Sequence, residues 1–290
     1  PGVRRLAREL DVDLTTVKAT GLKGRITKND LHGFIKQKMA QGGSVGTLSL
    51  PKIDFSQWGS IDEKPLTKIQ KITGDRLQQA WQTIPHVTQF DEADISVLNK
   101  KRTEFKKEGE KKNIKVTFLP FIIKAVIKSL KEFPRFNSSL DHLGEKLVLK
   151  NYYNIGIAVD TPTGLVVPVI KNADNKSILG LSEELMDLSG RARTGKLKPD
   201  EFKGGCFTIS SLGGIGGTNF TPIINPPEVA IMGVSKSIWK PVYDHKNKEI
   251  VPTFMMPFSL SYDHRVIDGA IGAAFTSFFS NAVLDVSTFE

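Results

Sequence analysis

Near the C-terminal end, Phe258-Ser-Leu-Ser-Tyr-Asp-His-Arg-Val-Ile-Asp-Gly269 sets four ionisable side chains directly behind an apolar run. His264 is the one among them that exchanges a proton near neutral pH. Asp263, Arg265 and Asp268 surround it with charges suited to orienting it. An isolated Asp-His at a strand end could equally cap a helix; the full run Asp-His-Arg-x-x-Asp-Gly is more specific. A metal centre is not expected. The five histidines, at 32, 86, 142, 245 and 264, form no short ligand spacing, and Cys206 alone makes no thiolate cluster. Leu212-Gly-Gly-Ile-Gly-Gly-Thr lacks both the Gly-Lys-Ser/Thr ending of a P-loop and dinucleotide spacing, so it reads as a turn or a close backbone approach.

Such residues need a scaffold. The pattern predicts a buried strand over 257–262, a tight polar turn, and an Ala/Phe-rich helix from about Asp268. Upstream, helical signals (66–81, 95–112, 118–133, 177–194) alternate with strand signals (86–94, 147–159, 165–170, 206–209, 228–234). That alternation argues for an α/β or α+β domain.

The length of 290 residues, with 39% hydrophobic and 24% charged residues, accommodates one large and one small soluble domain. No apolar run is long enough to span a membrane, and no secretory signal opens the chain. The single cysteine excludes an internal disulfide and suits a reducing compartment. Opening at Pro1 without an initiator methionine, the chain reads as a fragment.

The net charge is +9, and residues 1–40 hold nine Lys/Arg against four Asp/Glu, so more than half of the excess lies in the first seventh of the chain. A separate basic module is implied. Val3, Leu6, Ala7 and Leu10 fall at helical spacing, with Arg4, Arg5 and Arg8 directed elsewhere. After a turn-rich middle, Thr27-Lys-Asn-Asp30 reads as an N-cap with an acidic residue three positions on, opening a second helix through Met39. Gln41-Gly-Gly-Ser-Val-Gly-Thr has linker composition. The expected domains are therefore 1–40, a flexible linker over 41–64, and 65–290. A basic helical module could bind nucleic acid, but this one has no aromatic platform and no zinc-ligand spacing.

The terminal Asp-His-Arg-x-x-Asp-Gly resembles the active-site signature of the dihydrolipoyl acyltransferases, core components of 2-oxo acid dehydrogenase complexes. Ile84-Pro-His-Val-Thr-Gln-Phe-Asp, Pro134-Arg-Phe-Asn-Ser-Ser and Gly204-Gly-Cys-Phe-Thr-Ile-Ser-Ser-Leu-Gly213 look like the same catalytic core. Val3-Arg-Arg-Leu-Ala-Arg-Glu-Leu with Gly21-Leu-Lys-Gly-Arg-Ile-Thr-Lys-Asn-Asp-Leu31 resembles that family's peripheral-subunit-binding domain. The resemblance implies a chloramphenicol-acetyltransferase-like catalytic domain, a mixed α/β sheet with helices, trimeric, preceded by a small two-helix domain. It further implies that Arg4, Arg5 and Arg25 grip the decarboxylase or the dihydrolipoyl dehydrogenase. Ala19 and Leu22 depart from the family's glycine and arginine there, which bears on partner choice.

Moving an acyl group between two thiols needs a base for the attacking thiol, an oxyanion donor, and exclusion of water. His264 fits the base, because neutral imidazole accepts a proton and later returns it. By resemblance, Ser210 is the oxyanion donor, Asp268 supports the histidine, and His264 and Ser210 of one site come from different subunits of the trimer, so that a monomer is expected to be inactive. Arg135 and Asn137 are candidates for binding coenzyme A. A nucleophilic role for Ser210 is disfavoured, since no Gly-x-Ser-x-Gly elbow surrounds it. Within the family, Thr208-Ile-Ser-Ser and the 84–91 stretch look most like the bacterial pyruvate dehydrogenase members, so acetyl is the expected acyl group, with succinyl or branched-chain acyl as alternatives. A non-catalytic, subunit-binding scaffold is the competing reading; such relatives usually lack the histidine. No lipoyl domain is recognisable, so the lipoyl carrier is expected on a domain outside this chain. The ending Ala282-Val-Leu-Asp-Val-Ser-Thr-Phe-Glu290 departs from the family's basic and apolar tail. A homotrimer is expected, and a 24-subunit cube is plausible, in bacterial cytoplasm or mitochondrial matrix.

Overall fold

The computed structural model describes residues 2–10, 12–21, 24–41 and 53–289, with side chains of 37–41 left aside. The chain divides into two units, Pro1–Lys64 and Pro65–Glu290.

In the first unit, α1 (Gly2–Glu9) and α2 (Lys28–Gln41) flank a short 3-10 turn at Leu14–Thr16. Ala7, Val17 and Leu31 form its small core. The start of α2 is a reciprocal cap. Thr27 Oγ1 accepts the Asp30 amide at 3.2 Å, and Asp30 accepts the Thr27 amide at 2.8 Å. Asp30 also accepts the Thr20 hydroxyl and amide, tying the preceding loop to the helix. Of the expected linker, residues 42–52 lie outside the described residues, as does Leu22; Phe55–Trp58 is a 3-10 turn capped by Asp54.

The second unit is built on a mixed sheet. Its strands are β1 (His86–Asp94), β4 (Ile155–Ile157), β5 (Val169–Ile170), β6 (Phe207–Ser211), β7 (Ala230–Val234), β8 (Ile238–Asp244) and β9 (Glu249–Asp263). The order is β1-β9-β7-β6-β4-β5, with β8 paired to the first half of β9. Strands β4, β6 and β7 run parallel, while β1 and β7 run antiparallel to β9. A small hairpin, β2 (Ser138–Leu140) with β3 (Leu147–Leu149), stands apart.

The helices are α3 (Lys68–Thr83), α4 (Ser96–Glu110), α5 (Leu119–Glu132), α6 (Ile178–Arg193) and α7 (Gly269–Leu284). Strand alternation sends Phe207, Ile209, Met232, Phe258, Leu260 and Tyr262 into the main core, where α5, α6 and α7 contribute Phe121, Leu181, Phe275 and Phe279. Phe136 meets Phe275 at 4.2 Å between ring centroids, and Phe258 meets Phe279 at 4.8 Å. Each such side chain contributes about 1.5–3 kcal/mol through burial. The opposite face carries Thr208, Ser210, Gly233, Ser259 and Ser261. Its small residues leave room for the 212–228 segment, and Phe220 lies so close to Gly233 that a Cβ there would come within 2.7 Å of its ring.

Two expectations are corrected. The strand expected over 147–159 is broken into β3 and β4, because Asn137 donates its side-chain amide to the carbonyls of Lys150 and Tyr152 and holds the chain between them out of either sheet. The strand expected over 165–170 shortens to Val169–Ile170 plus a single bridge from Val159 to Val166. Strand β8 has no signal in the sequence: it is largely exposed and carries Pro241, so it lacks an apolar alternation.

Candidate active site

The C-terminal end of β9 delivers Asp263 and His264 into a turn braced on every side. The Asp263 amide donates to the Val229 carbonyl at 2.8 Å, and the His264 amide donates to the Pro85 carbonyl at 3.0 Å. Asp263, only 2% exposed, accepts a bidentate pair from Arg265: Nε to Oδ1 at 2.9 Å and Nη2 to Oδ2 at 2.6 Å. That bonding pushes the Arg265 pKa upward. The amides of Val266 and Ile267 return to the Asp263 carbonyl. Asp268 then caps α7, accepting the Ile271 amide at 2.9 Å. Burial, and then the Asp268 charge, push the Tyr262 hydroxyl up.

The His264 backbone is thus fixed while its imidazole is exposed. Tyr262 lies 6.1 Å away ring to ring, and among the described residues neither imidazole nitrogen has a hydrogen-bond partner. The ring is free to meet a substrate proton. Asp268, expected to support the histidine, spends one oxygen on the helix cap and has no bond to it in this chain.

Ser210 is the fourth residue of β6 and points to the hydroxyl-rich face, half-buried and with no bond to its side chain. It stands in register with Gly233 of β7, which stands in register with Ser259 of β9. From Ser259 to His264 is five residues along β9, about 16 Å, and two strand spacings add about 10 Å sideways. The two α-carbons are therefore roughly 19 Å apart. Within one chain these side chains cannot reach a common reacting carbon.

Arg135 is exposed on the surface, whereas Asn137 is buried at 1% with its amide nitrogen committed to backbone carbonyls. Arg4, Arg5 and Arg25 are exposed on the small unit, and Arg5 pairs with Glu9 at 2.9 Å. Cys206 is buried and burial pushes its thiol up to about 11, so it is no nucleophile at neutral pH.

Two features are not evident from the sequence. A groove of about 550 Å³ is lined by Arg102, Lys106, Lys115 and Phe118, with Glu110 as its one acidic group. The Arg102 guanidinium lies 4.5 Å from the Phe118 ring centre, and Phe118 leans on Phe254, five residues before Ser259 on the side of β9 away from His264. The cations are scattered through a charged helix and a loop, so only folding collects them. The second feature is a buried polar group beneath β6 and β7, containing Lys150, Thr208 and Glu228; a carboxylate heading an apolar strand was its one signal. Among the described residues, no cluster of His, Cys, Asp or Glu is arranged to hold a metal, and no helix is long and apolar enough to cross a membrane.

Residues 59–289 match the family model of the 2-oxoacid dehydrogenases acyltransferase (catalytic domain), and residues 1–32 match that of the E3 binding domain. The dihydrolipoyllysine-residue acetyltransferase component of the pyruvate dehydrogenase complex from Cupriavidus necator is 54% identical over 98% of this chain and 53% of its own length. Its Haemophilus influenzae counterpart is 50% identical over 99% of this chain and 53% of its own length. The chain thus spans about half the length of the curated relatives it matches. Among solved structures, an Azotobacter vinelandii dihydrolipoamide acetyltransferase, studied for the role of a serine, a histidine and an asparagine in its catalytic mechanism, superposes with a TM-score of 0.81 at 50% identity, covering 83% of this chain and 98% of that one. A structure of the cubic core of the pyruvate dehydrogenase multienzyme complex gives 0.81 at 49% identity with the same coverage. By the extent of these matches, the chain belongs to the 2-oxoacid dehydrogenase acyltransferases.

Proposed function

We propose that this chain transfers an acetyl group between a dihydrolipoyl thiol and coenzyme A, as part of the core of a pyruvate dehydrogenase complex. One observation carries the reading: an unpartnered, exposed imidazole on a turn whose backbone is fully braced. His264 Nε2 or Nδ1 takes the proton of the attacking thiol. The thiolate adds to the thioester carbon, and the carbonyl electron pair moves to oxygen. Ser210 donates its hydroxyl proton in a hydrogen bond to that oxyanion. Collapse expels the second thiolate, which recovers the proton from the imidazolium, so the enzyme ends as it began.

The 19 Å separation supports a site completed by a second copy, His264 from one protomer and Ser210 from another, in a homotrimer. A cubic core is the larger assembly that the solved relative suggests, and the family resemblance sets it at 24 subunits. The histidine and asparagine of the Azotobacter protein are four positions apart, the spacing of His264 and Asp268, which supports Asp268 as the orienting residue. The Arg102–Lys106–Lys115 groove is the candidate seat for the phosphates of coenzyme A, with exposed Arg135 a second candidate. Arg4, Arg5 and Arg25 are the candidate contacts to dihydrolipoyl dehydrogenase or the decarboxylase, the domains being 1–40, a linker over 41–64 and 65–290. The lipoyl group reaches the site on a separate domain, and bacterial cytoplasm is the setting that the relatives suggest.

The test is acetyl transfer from acetyl-coenzyme A to dihydrolipoamide. His264→Ala should lose about 10²–10⁴-fold in kcat and Ser210→Ala about 10²–10³-fold. Equal activity in all three proteins would sink the mechanism, and none in an assembled parent would favour a scaffold.

A further inference from the structure

Both ring nitrogens of His86 are bonded to backbone from different parts of the chain. Nδ1 lies 2.8 Å from the Ile84 carbonyl oxygen, and the Ile224 amide lies 3.0 Å from Nε2. A carbonyl only accepts and an amide N–H only donates, so the proton sits on Nδ1 and the lone pair on Nε2. Trp81 covers the imidazole at 5.4 Å between ring centroids, and Ile84, Ile224 and Ile231 close an apolar cluster of their own.

Within one chain this imidazole, in register with Asp263 on the edge strand β1, connects the surroundings of the two catalytic residues, which serve different sites of the assembly. Its chain neighbour Pro85 receives the amide of His264. The segment it holds, residues 212–225, leaves β6 just beyond Ser210. Within that segment Phe220 packs on Gly233, the β7 residue in register with Ser210. One side chain therefore joins the strand start that carries the His264 turn to the segment that covers the neighbourhood of Ser210.

We propose that His86 is a positioning residue for acyl transfer: its imidazole pins residues 212–225 to the start of β1 and so fixes the surroundings of Ser210 and the His264 turn together. The proposal rests on the catalytic roles given above to those two residues. His86 touches no reacting atom. It acts through Ile224 and Pro85, and misplacement of about 1 Å at a reacting group can cost on the order of 10²-fold in rate.

Two polar substitutions that differ in reach separate the roles of the two nitrogens. His86→Gln can place its oxygen where Nε2 stood and keep the Ile224 amide bonded. His86→Asn reaches only to the Nδ1 position. In the full chain, we measure kcat and KM for both thiol substrates, together with hydrogen exchange of the Ile224 amide. The expected result is that His86→Asn loses about tenfold to a hundredfold in kcat, with both KM values within about threefold of the parent. Its Ile224 amide should exchange faster, while His86→Gln keeps most of both kcat and protection. Equal kcat and equal Ile224 protection in the two variants would overturn the proposal, as would a loss confined to KM. If the parent itself transfers no acetyl group, the functional reading fails, and Ile224 exchange still decides whether His86 holds the segment.

Discussion

Glu228 heads the run into β7 at 4% exposure and accepts one bond, from Asn225 Nδ2 at 3.3 Å. Its second oxygen has no partner among the described residues, and neither has the buried Nζ of Lys150. Burial pushes the Glu228 pKa up to about 7 from an ordinary 4.5, against the nearby Thr208 hydroxyl and Lys150 charge, which pull it down without closing a well-formed hydrogen bond. Between those values the folded protein holds a proton that the unfolded chain has released. Stability from this group is therefore full below about pH 4.5 and is lost as pH rises through about 7. At 1.36 kcal/mol per pH unit, the loss approaches about 3 kcal/mol at pH 8. Glu228→Gln keeps the shape and removes the titration. Denaturant midpoints of parent and variant, at one protomer concentration, should diverge in the variant's favour by roughly 2–3 kcal/mol between pH 5 and pH 8, whatever their offset. Parallel curves would refute the reasoning. The effect also matters at the site, since Val229, next in the chain, holds the Asp263 amide.

Asp268→Asn should leave stability within about 0.5 kcal/mol, because asparagine is an equal N-cap, and should keep most of the activity; Asp268→Ala should cost about 1 kcal/mol on thermal or denaturant unfolding. Arg265→Met would leave the buried Asp263 carboxylate with only the backbone amide at position 265, which donates to it at 3.0 Å. It should destabilise by about 3 kcal/mol, the low end for a broken buried pair because Arg265 is half-exposed, and Asp263→Asn in the same chain should recover part of that loss.

Much of the site was legible in the sequence. The strand, turn and helix around His264 follow from an apolar run, a charged break and an Asp-Gly helix start, and the structure carries β9 through Asp263 with α7 opening at Gly269. β1 runs over the residues its alternation predicts, and α5 is the buried helix that its largely apolar composition implies. Ser210 lies within β6 rather than just after it, a boundary that Ser-Ser leaves open because hydroxyl residues suit a buried strand facing other hydroxyls. Register is what periodicity cannot supply. Which strand neighbours which, and hence the distance from Ser210 to His264, depends on β9 inserting between β1 and β7, a long-range pairing with no local signature. The role of Asn137 was hidden for the same reason: its partners lie 13 and 15 residues away.

The central claim is that one acyl-transfer site draws its histidine and its serine from different copies of this chain. Ser210→Ala and His264→Ala chains, each expected to lose at least about a hundredfold alone, can be co-assembled in equal amounts and assayed for acetyl transfer. Random mixing in a ring gives an intact serine and an intact histidine at about one site in four, so activity should return to about a quarter of the parent's. A site built within one chain predicts no recovery above the sum of the two variants, and that result would contradict the account.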